Sequence, residues 1–313
     1  MTNRLQTFFY SLLIISLCGE LFASDISLQN KIYTVGFAQD TLANDWRKAQ
    51  VDDLRAELKK HANIQFIYTD AGGNSSKQIR DIEDLFHRKV DLLITSPLNG
   101  AASTAAISRI YNQGTPVVLI TRSIMNDNYT SLIAPDDYQI ASKAAEFIAH
   151  KLSEKGKVLI LQGVPTATTS IARTQGFLDT LKQHPNIEVV SIKNGNYLRS
   201  DAIRATEKVL FEGDTFDAIY AQSDSMASGA RLALIKAGIS PKDKLIVGID
   251  YINEARKAIR SGEQAASFTY PTCAKEAAEV VLKILHGELV PKKISVESQL
   301  ITYENVNLIE PIF

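Results

Sequence analysis

Short apolar runs alternate with longer amphipathic stretches along most of the chain. From residue 31 onward, runs rich in β-branched residues predict strands over Lys31–Phe37, Ile64–Thr69, Asp91–Thr95, Pro116–Thr121, Lys157–Leu161, Ile187–Lys193, Asp217–Ala221 and Lys244–Ile249. Apolar residues at helical spacing predict helices over Asn44–Lys60, Asn74–His87, Ala101–Asn112, Ser170–Gln183, Ser200–Phe211, Ser225–Ala237, Ile252–Ser261 and Cys273–His286. This alternation predicts an α/β fold with right-handed crossovers and parallel sheets that carry helices on both faces.

Three segments interrupt the alternation and predict two lobes rather than one wide sheet. The segment Tyr129–Asp136 contains a strand-like piece that ends at a proline, and similar crossings are expected at Ala266–Pro271 and Gln299–Thr302. We therefore predict two doubly wound parallel-sheet lobes joined by a three-segment hinge. The N-terminal lobe is expected to hold residues 30–134 and 271–299, and the C-terminal lobe residues 135–270 and 300–313. Such an arrangement places a cleft at the carboxyl ends of the strands, where open α/β sheets bind ligands.

The first residues differ in pattern from the rest. A single cation, Arg4, precedes an apolar run over Phe8–Cys18, and the small residues Ala23 and Ser24 close the segment. This layout is typical of a secretory signal peptide and predicts a leader over residues 1–24. The apolar run is too short for a membrane span, so export to the periplasm is expected.

Two cysteines bear on the compartment. Cys18 lies in the leader after Leu17, a poor match to the small residue that a lipid-attachment site requires, so removal is favoured over lipidation. Cys273 is then the only cysteine left, and an exported chain would carry no internal disulfide. We expect Cys273 to be a small packed thiol rather than a reactive one.

Composition and motifs argue against nucleic-acid binding and catalysis. The formal net charge is −1, with none of the basic excess of a polyanion binder. Neither a phosphate-binding G-x-x-x-x-G-K-[ST] loop nor a G-x-S-x-G elbow occurs. The stretch Gly72–Lys77 predicts a turn and a helix cap at Asn74 or Ser75, and the histidines fall mostly near predicted helix ends, without metal-ligand spacing. We expect no enzyme, cofactor or metal site.

Polar and aromatic residues instead cluster after the predicted strands. Individually several of them suit helix caps or surface charges, but together they line the place where a doubly wound protein holds its ligand. Arginine and carboxylate groups bond hydroxyls, and an aromatic face covers the C–H side of a sugar ring. These strand-end residues are Asp40, Trp46, Arg122, Arg173, Tyr197, Ser223, Asp224, Asp250 and Tyr270.

Six ordered motifs between about Lys31 and His286 carry a family resemblance. They are VGFAQDTLANDWRKA, VDLLITSPLNGAA, TPVVLITRSI, VLILQGVPTATTSIARTQGF, FDAIYAQSDSMASGA and LIVGIDYINEA. In these motifs the chain resembles the periplasmic sugar-binding proteins of the type I fold, the ribose- and galactofuranose-binding components of ABC transporters. The resemblance implies two lobes that close over a monosaccharide.

The resemblance also implies a distribution of ligand contacts. The N-lobe side would supply Asn44, Trp46, Arg47 and Arg122, and the C-lobe side Arg173, Tyr197, Ser223 and Asp250, with Asp137 and Tyr270 near the hinge. Trp46, the only tryptophan, is expected to cover one face of the ligand with its N–H available. The alternative is a packing role between the lobes.

Departures from the family pattern affect the ligand rather than the fold. Thr121 stands where the family commonly has an aspartate before the arginine, so a hydroxyl-binding carboxylate is missing there. Asp137, Ser223 and Tyr270 replace the asparagines and glutamine of ribose binders. Because an unpaired buried polar group costs ~1–3 kcal/mol, these changes argue against ribose as the ligand.

Two partners are compatible with these features. The first reading is delivery of a small polar metabolite to a membrane ABC permease, and the second is reporting of the ligand to a membrane sensor histidine kinase. A transcription regulator of the LacI type shares the fold, but the first thirty residues lack the basic helix-turn-helix that it needs.

Overall fold

The computed structural model describes residues 31–313, so the predicted leader and Cys18 lie outside it. The strands are Tyr33–Gln39 (β1), Ile64–Asp70 (β2), Leu92–Thr95 (β3), Val117–Ile120 (β4), Ser131–Ala134 (β5), Gly156–Gln162 (β6), Ile187–Asn194 (β7), Ala218–Ala221 (β8), Leu245–Val247 (β9), Ala266–Phe268 (β10), Lys293–Ser295 (β11) and Leu300–Thr302 (β12). The helices are Asp45–Leu58 (α1), Ser75–His87 (α2), Gly100–Asn112 (α3), Asp137–Lys151 (α4), Thr168–Leu181 (α5), Arg199–Phe211 (α6), Asp224–Lys236 (α7), Asn253–Ser261 (α8) and Ala274–Leu285 (α9).

The first sheet has the strand order β11-β5-β4-β3-β1-β2, and all its pairs are parallel. Its central strands β3 and β4 are buried along their whole length, as expected of apolar strands covered by helices on both faces. One core layer joins β1, β3 and β4 to α1 and α9. We call this sheet, with α1–α3 and α9, the N-lobe.

The second sheet has the order β12-β10-β9-β8-β6-β7 and is parallel except at its edge, where β12 runs antiparallel to β10. Helices α4 and α5 cover one face and α6 and α7 the other. We call this sheet, with α4–α8, the C-lobe. The predicted fold class of two α/β lobes is confirmed.

The chain passes between the sheets three times, after β5, after β10 and after β11. The crossings are bonded to each other, because the Ser298 hydroxyl donates to the carbonyl of Thr269 at 2.6 Å and the Gln299 N–H donates to the Thr269 hydroxyl at 2.9 Å. The third crossing is also bonded to the first, because the Val296 N–H donates to the carbonyl of Ala134 at 3.1 Å, so the three segments are connected.

Helix α4 was missed by the sequence analysis, which treated the segment before it as a crossing alone. Asp136 caps this helix by accepting from the N–H of Gln139, and six residues bury its apolar face: Ile140, Ala141, Ala144, Ala145, Ile148 and Ala149. That spacing is helical. Alanine is only weakly hydrophobic, so the buried and exposed faces of this helix differ little in sequence. Pro135 just before it favours a chain crossing.

Smaller expectations are confirmed. Asn74 caps α2 by accepting from the N–H of Lys77, and Cys273 is a free, buried thiol whose pKa is raised by burial. In the part of the chain that the structure describes, no helix is both long and apolar enough to span a bilayer.

Candidate ligand-binding site

A small cavity lies between the lobes, at the ends of β1, β9 and β10. Eight residues from both lobes line it, and we call it the inner cavity: Asn44, Trp46, Arg47, Thr169, Arg173, Tyr197, Asp250 and Tyr270. Its volume is about 30 Å³, room for about two water molecules. All but Thr169 are residues that the sequence analysis selected. Thr169 follows a cluster of threonines, and nothing in its spacing distinguished it from its neighbours.

Trp46 lines the inner cavity, but its N–H is not free. The indole donates to the carbonyl of Tyr270 at 2.9 Å, and the two rings lie 5.6 Å apart between centroids. The side chain is 4% exposed and packs with the C-lobe core although α1 belongs to the N-lobe. The expectation of an available N–H was wrong, because the hinge carbonyl takes it. Trp46 thus combines a cavity face with the interlobe packing that was the alternative.

Arg173 is held in a bonded network on the C-lobe side. Its Nε donates to Asp137 Oδ1 at 2.7 Å, and its Nη1 donates to the carbonyl of Gln222. The Tyr270 hydroxyl donates to the other oxygen of Asp137 at 3.2 Å. Burial opposes the charge on Arg173, but Asp137 together with Tyr197, Tyr270 and Asp250 outweighs burial, and the pKa of Arg173 is raised. The guanidinium therefore stays charged and fixed, with Nη2 outside these bonds.

Asp250 follows β9 in a backbone conformation that non-glycine residues rarely adopt, with φ at 117°. Its N–H bonds the carbonyl of Phe268 at 2.8 Å, while its buried carboxylate bonds no described side chain. Burial raises the pKa of Asp250 well above the usual range, although the charge of Arg173 opposes this. Strain of this kind is stored where a side chain must be aimed, here into the inner cavity.

Tyr197 also has a left-handed backbone, with φ at 61°, as does Asn196 before it, at 52°. The ring lies against Gly163, where an added β-carbon would approach it to 2.0 Å. The hydroxyl groups of Tyr197 and Thr169 are 3.1 Å apart. The main-chain carbonyl of Tyr197 accepts from Asn44 Nδ2 at 2.6 Å. Tyr197 therefore forms a wall of the inner cavity and a contact between the lobes.

Asp40 and Arg122 line a larger space at the cleft mouth, not the inner cavity. This outer cavity of about 590 Å³ is lined by Asp40, Thr41, Ala43, Asn44, Arg47, Gly72, Gly73, Ser75, Leu98, Asn99, Arg122, Val164, Thr166, Asn196, Tyr197, Leu198 and Asp201. Arg122 Nη1 lies 2.6 Å from Asp40 Oδ2, and both side chains are 1% exposed. The carboxylate expected to be missing beside Arg122 is thus supplied from the end of β1.

The Asp40–Arg122 pair is not fully bonded. Asp40 Oδ1 and Arg122 Nε are both buried without a hydrogen-bond partner. Arg47 Nε lies 3.4 Å from Asp40 Oδ1, and Arg47 Nη1 donates to the Thr121 hydroxyl at 3.2 Å. Burial, with the neighbouring charge of Arg122, lowers the pKa of Arg47 to about 10. The guanidinium remains charged at neutral pH.

Ser223 and Asp224 lie behind the cavities. The Ser223 hydroxyl caps α7 by accepting from the Met226 N–H at 3.2 Å, and the residue lines neither cavity. Asp224 is buried and accepts from the Ser267 hydroxyl and from the Tyr251 N–H, at 2.6 and 2.7 Å. Burial raises the pKa of Asp224 to about 6. Both residues brace the strand ends that carry the cavity.

A comparison with protein families identifies this architecture. The sequence model of the family described as "periplasmic binding protein domain" matches residues 35–289 of this chain. The chain belongs to the periplasmic binding protein family. Within residues 31–313 of this binding protein, no group of three or more His, Cys, Asp or Glu side chains is placed to hold a metal ion.

Curated and solved relatives of this binding protein cover most of its length. The ribose import binding protein of Bacillus subtilis is 32% identical over 274 residues, 87% of this chain and 88% of that protein. The fructose-binding periplasmic domain of a hybrid two-component system superposes with a TM-score of 0.84 at 28% identity, covering 88% and 92% of the two chains. A Bacillus halodurans solute-binding protein with bound myo-inositol has a TM-score of 0.84 at 25% identity, covering 89% and 97%.

Proposed function

We propose that the chain is exported through its leader and acts in the periplasm as a solute-binding protein that closes over a small neutral polyol, such as a monosaccharide, for delivery to an ABC permease. One observation carries the proposal: the strained backbone of Asp250 aims an unpaired carboxylate into a buried cavity between two lobes. A carboxylate held in this way is an acceptor for ligand hydroxyl groups.

The charges around the cleft favour a neutral ligand. Three buried arginines, Arg47, Arg122 and Arg173, face three buried aspartates, Asp40, Asp137 and Asp250. When all six groups are ionised their charges balance, and an anionic ligand would add an uncompensated buried charge, which is costly. A polyol adds no charge and offers each hydroxyl as both donor and acceptor.

The aromatic residues suit a ring with an apolar face. Trp46, Tyr197 and Tyr270 line the inner cavity beside Arg173 and Asp250. A pyranose or furanose presents C–H groups on one face and hydroxyls at its edge, so aromatic faces and charged edges contact different parts of it. We assign ligand contact to these five residues and to Asn44 and Arg47, and support for them to Asp137 and Ser223.

Binding is proposed to act through closure of the lobes. We place the hinge where the chain passes between the sheets, with an N-terminal lobe of residues 30–134 and 271–299 and a C-terminal lobe of residues 135–270 and 300–313. The inner cavity is too small for a sugar ring, so a ligand enters when the lobes separate and then stabilises the closed form from both sides. The chain binds and does not catalyse.

A second function has its own support. The similar fructose-binding domain is part of a hybrid two-component system, so a role in reporting ligand to a membrane histidine kinase fits the same cleft. The genes next to this one distinguish the two roles. A permease and an ATPase would support transport, and a histidine kinase would support sensing.

A thermal-shift screen tests the proposed binding. The protein without its leader is heated with pentoses, hexoses, furanosides, myo-inositol and small diols. A ligand that binds only the folded form must raise the melting temperature, by an amount equivalent to ~2.7 kcal/mol at a hundred times its Kd. The D250N variant should lose the shift, whereas D214N, at an exposed loop position, should keep it. No shift with any compound, or an equal shift in D250N, would contradict the proposal.

A further inference from the structure

Three hydrogen bonds cross the cleft of the described chain away from the hinge, and two of them lie outside the inner cavity. The Thr166 hydroxyl donates to the carbonyl of Leu98 at 3.1 Å, and the Ser123 N–H donates to the Thr168 hydroxyl at 3.0 Å. The third joins Asn44 to Tyr197, which both line the inner cavity. The first two therefore join the lobes at the rim, through residues that do not line the inner cavity.

The two rim bonds have a common design. Thr166 lies in the short loop between β6 and α5, and Thr168 is the first residue of α5, on the C-lobe. Both partners on the N-lobe are main-chain groups, whose positions are set by the ends of β3 and β4. Main-chain partners need no side-chain ordering, so the entropic cost of forming these bonds falls on the threonines alone.

The surfaces around these bonds touch closely. A β-carbon added at Gly100, the first residue of α3, would lie 3.0 Å from the methyl group of Thr168. The contact is therefore packed as well as hydrogen-bonded. When the lobes separate, both polar groups return to water and the packing is lost.

We propose that Thr166 and Thr168 are positioning residues, a rim latch that stabilises the closed lobes and so sets ligand affinity without touching the ligand. The inference rests on the proposed function, because closure has this consequence only if a ligand is enclosed. The rim latch acts on the equilibrium between open and closed lobes, which is the same for every ligand. Its removal must therefore weaken all ligands by one common factor and leave their relative affinities unchanged.

The size of the effect follows from the exposure of the rim. Thr166 is exposed and Thr168 half-buried, so water competes for both bonds. A net hydrogen bond under these conditions corresponds to about a threefold change in an equilibrium constant. We expect about a threefold loss of affinity from either threonine and about a tenfold loss from both.

The test compares wild type with two double variants and one single variant by calorimetric titration with myo-inositol, D-fructose and D-ribose. T166V/T168V keeps the branched shape and removes both hydroxyls, whereas T166S/T168S keeps the hydroxyls. T215V, in the exposed loop between α6 and β8, is the matched control. The valine pair should bind each sugar that the wild type binds about tenfold more weakly, while the serine pair and T215V stay close to wild type.

Two results would overturn the rim latch. Binding of the valine pair within twofold of wild type shows that the bonds do not matter for closure. Unequal losses for two sugars show that the threonines contact the ligand. If wild type binds none of the three, the choice of ligand class is in doubt, and small-angle scattering of the ligand-free proteins decides the latch. The valine pair should then have a larger radius of gyration than wild type and T215V, and equal radii would contradict the latch.

Discussion

Each wall of the cleft holds a buried aspartate–arginine pair, but the two pairs differ in how completely the protein bonds them. On the C-lobe wall, Asp137 accepts from Arg173 and from Tyr270, and Arg173 also donates to a main-chain carbonyl. On the N-lobe wall, Asp40 and Arg122 share one 2.6 Å bond and Arg122 donates to the carbonyl of Pro97 only at 3.5 Å, and each residue keeps a buried atom without a partner. The C-lobe pair therefore has more of its hydrogen-bonding groups satisfied than the N-lobe pair.

The difference indicates how the two walls contribute to binding. An unsatisfied buried polar atom costs ~1–3 kcal/mol, and the N-lobe pair carries two of them, one acceptor on Asp40 and one donor on Arg122. Neither residue lines the inner cavity to which the ligand is assigned, so the N-lobe pair leaves part of its bonding unsatisfied without contacting a ligand there. In the C-lobe pair, the bonds from Arg173 and Tyr270 to Asp137 fix the Arg173 guanidinium and the Tyr270 ring beside the inner cavity.

Replacing Arg173 gives the largest expected effect. In R173A the buried carboxylate of Asp137 loses its bonded cation, so the ligand-free protein should lose ~3–5 kcal/mol of unfolding free energy. The family resemblance implied only a ligand contact for Arg173, and the ion pair with Asp137 adds a structural role. Sugar affinity should also fall by ~100-fold or more. Urea unfolding measures the stability, with R204A, at an exposed ion pair, as a control within ~1 kcal/mol of wild type.

The C-lobe also contains Asp224, whose pKa is raised to about 6 by burial, and this shift predicts a pH dependence of stability. The folded protein then holds a proton that the unfolded chain releases near pH 4, so this group stabilises most below that pH. Its contribution should shrink by ~3 kcal/mol as pH rises from about 4 to about 6. Unfolding free energies of wild type and D224N across this range give the difference. Parallel pH profiles for the two proteins would show that Asp224 does not titrate there.

Replacing Arg122 should cost less stability than replacing Arg173. In R122A the carboxylate of Asp40 still has Arg47 at 3.4 Å, whereas Asp137 in R173A has no second arginine within bonding distance. We expect a loss of ~1–3 kcal/mol of unfolding free energy, because one charged hydrogen bond is removed and not the whole charge compensation. Equal losses for R122A and R173A in the same urea series would erase the distinction between the two walls.

The smallest expected effect is on the pH dependence of binding. Burial raises the pKa of Asp250, and ligand hydroxyls bond best to its ionised form. Affinity should therefore increase as pH rises through that pKa, with release of a proton on binding. Titration of a bound sugar across acidic to neutral pH in wild type and D250N measures this. A pH-independent affinity in wild type would mean that Asp250 stays outside the site.

Sequence patterns predicted most of the fold because strands and helices here follow simple periodicity. The fully buried β3 and β4 are continuous apolar runs, and the predicted caps and crossings follow local chemistry. Helix α4 escaped because its buried face is largely alanine. The site was harder, since pairing of Asp40 with Arg122 joins residues 82 positions apart. A single sequence does not show that Asp40 pairs with Arg122 and Asp137 with Arg173. It also does not show that Trp46 donates to the carbonyl of Tyr270.

Trp46 tests the central claim, that ligand binds between the lobes at the inner cavity. It is the only tryptophan of the chain, it lines that cavity, and its indole bonds the hinge at Tyr270. Titration of the leader-free protein with a sugar that raises its melting temperature should change the tryptophan fluorescence, with a midpoint equal to the calorimetric Kd. A sugar that binds by calorimetry while the fluorescence intensity and wavelength stay unchanged would place the ligand elsewhere and contradict the account.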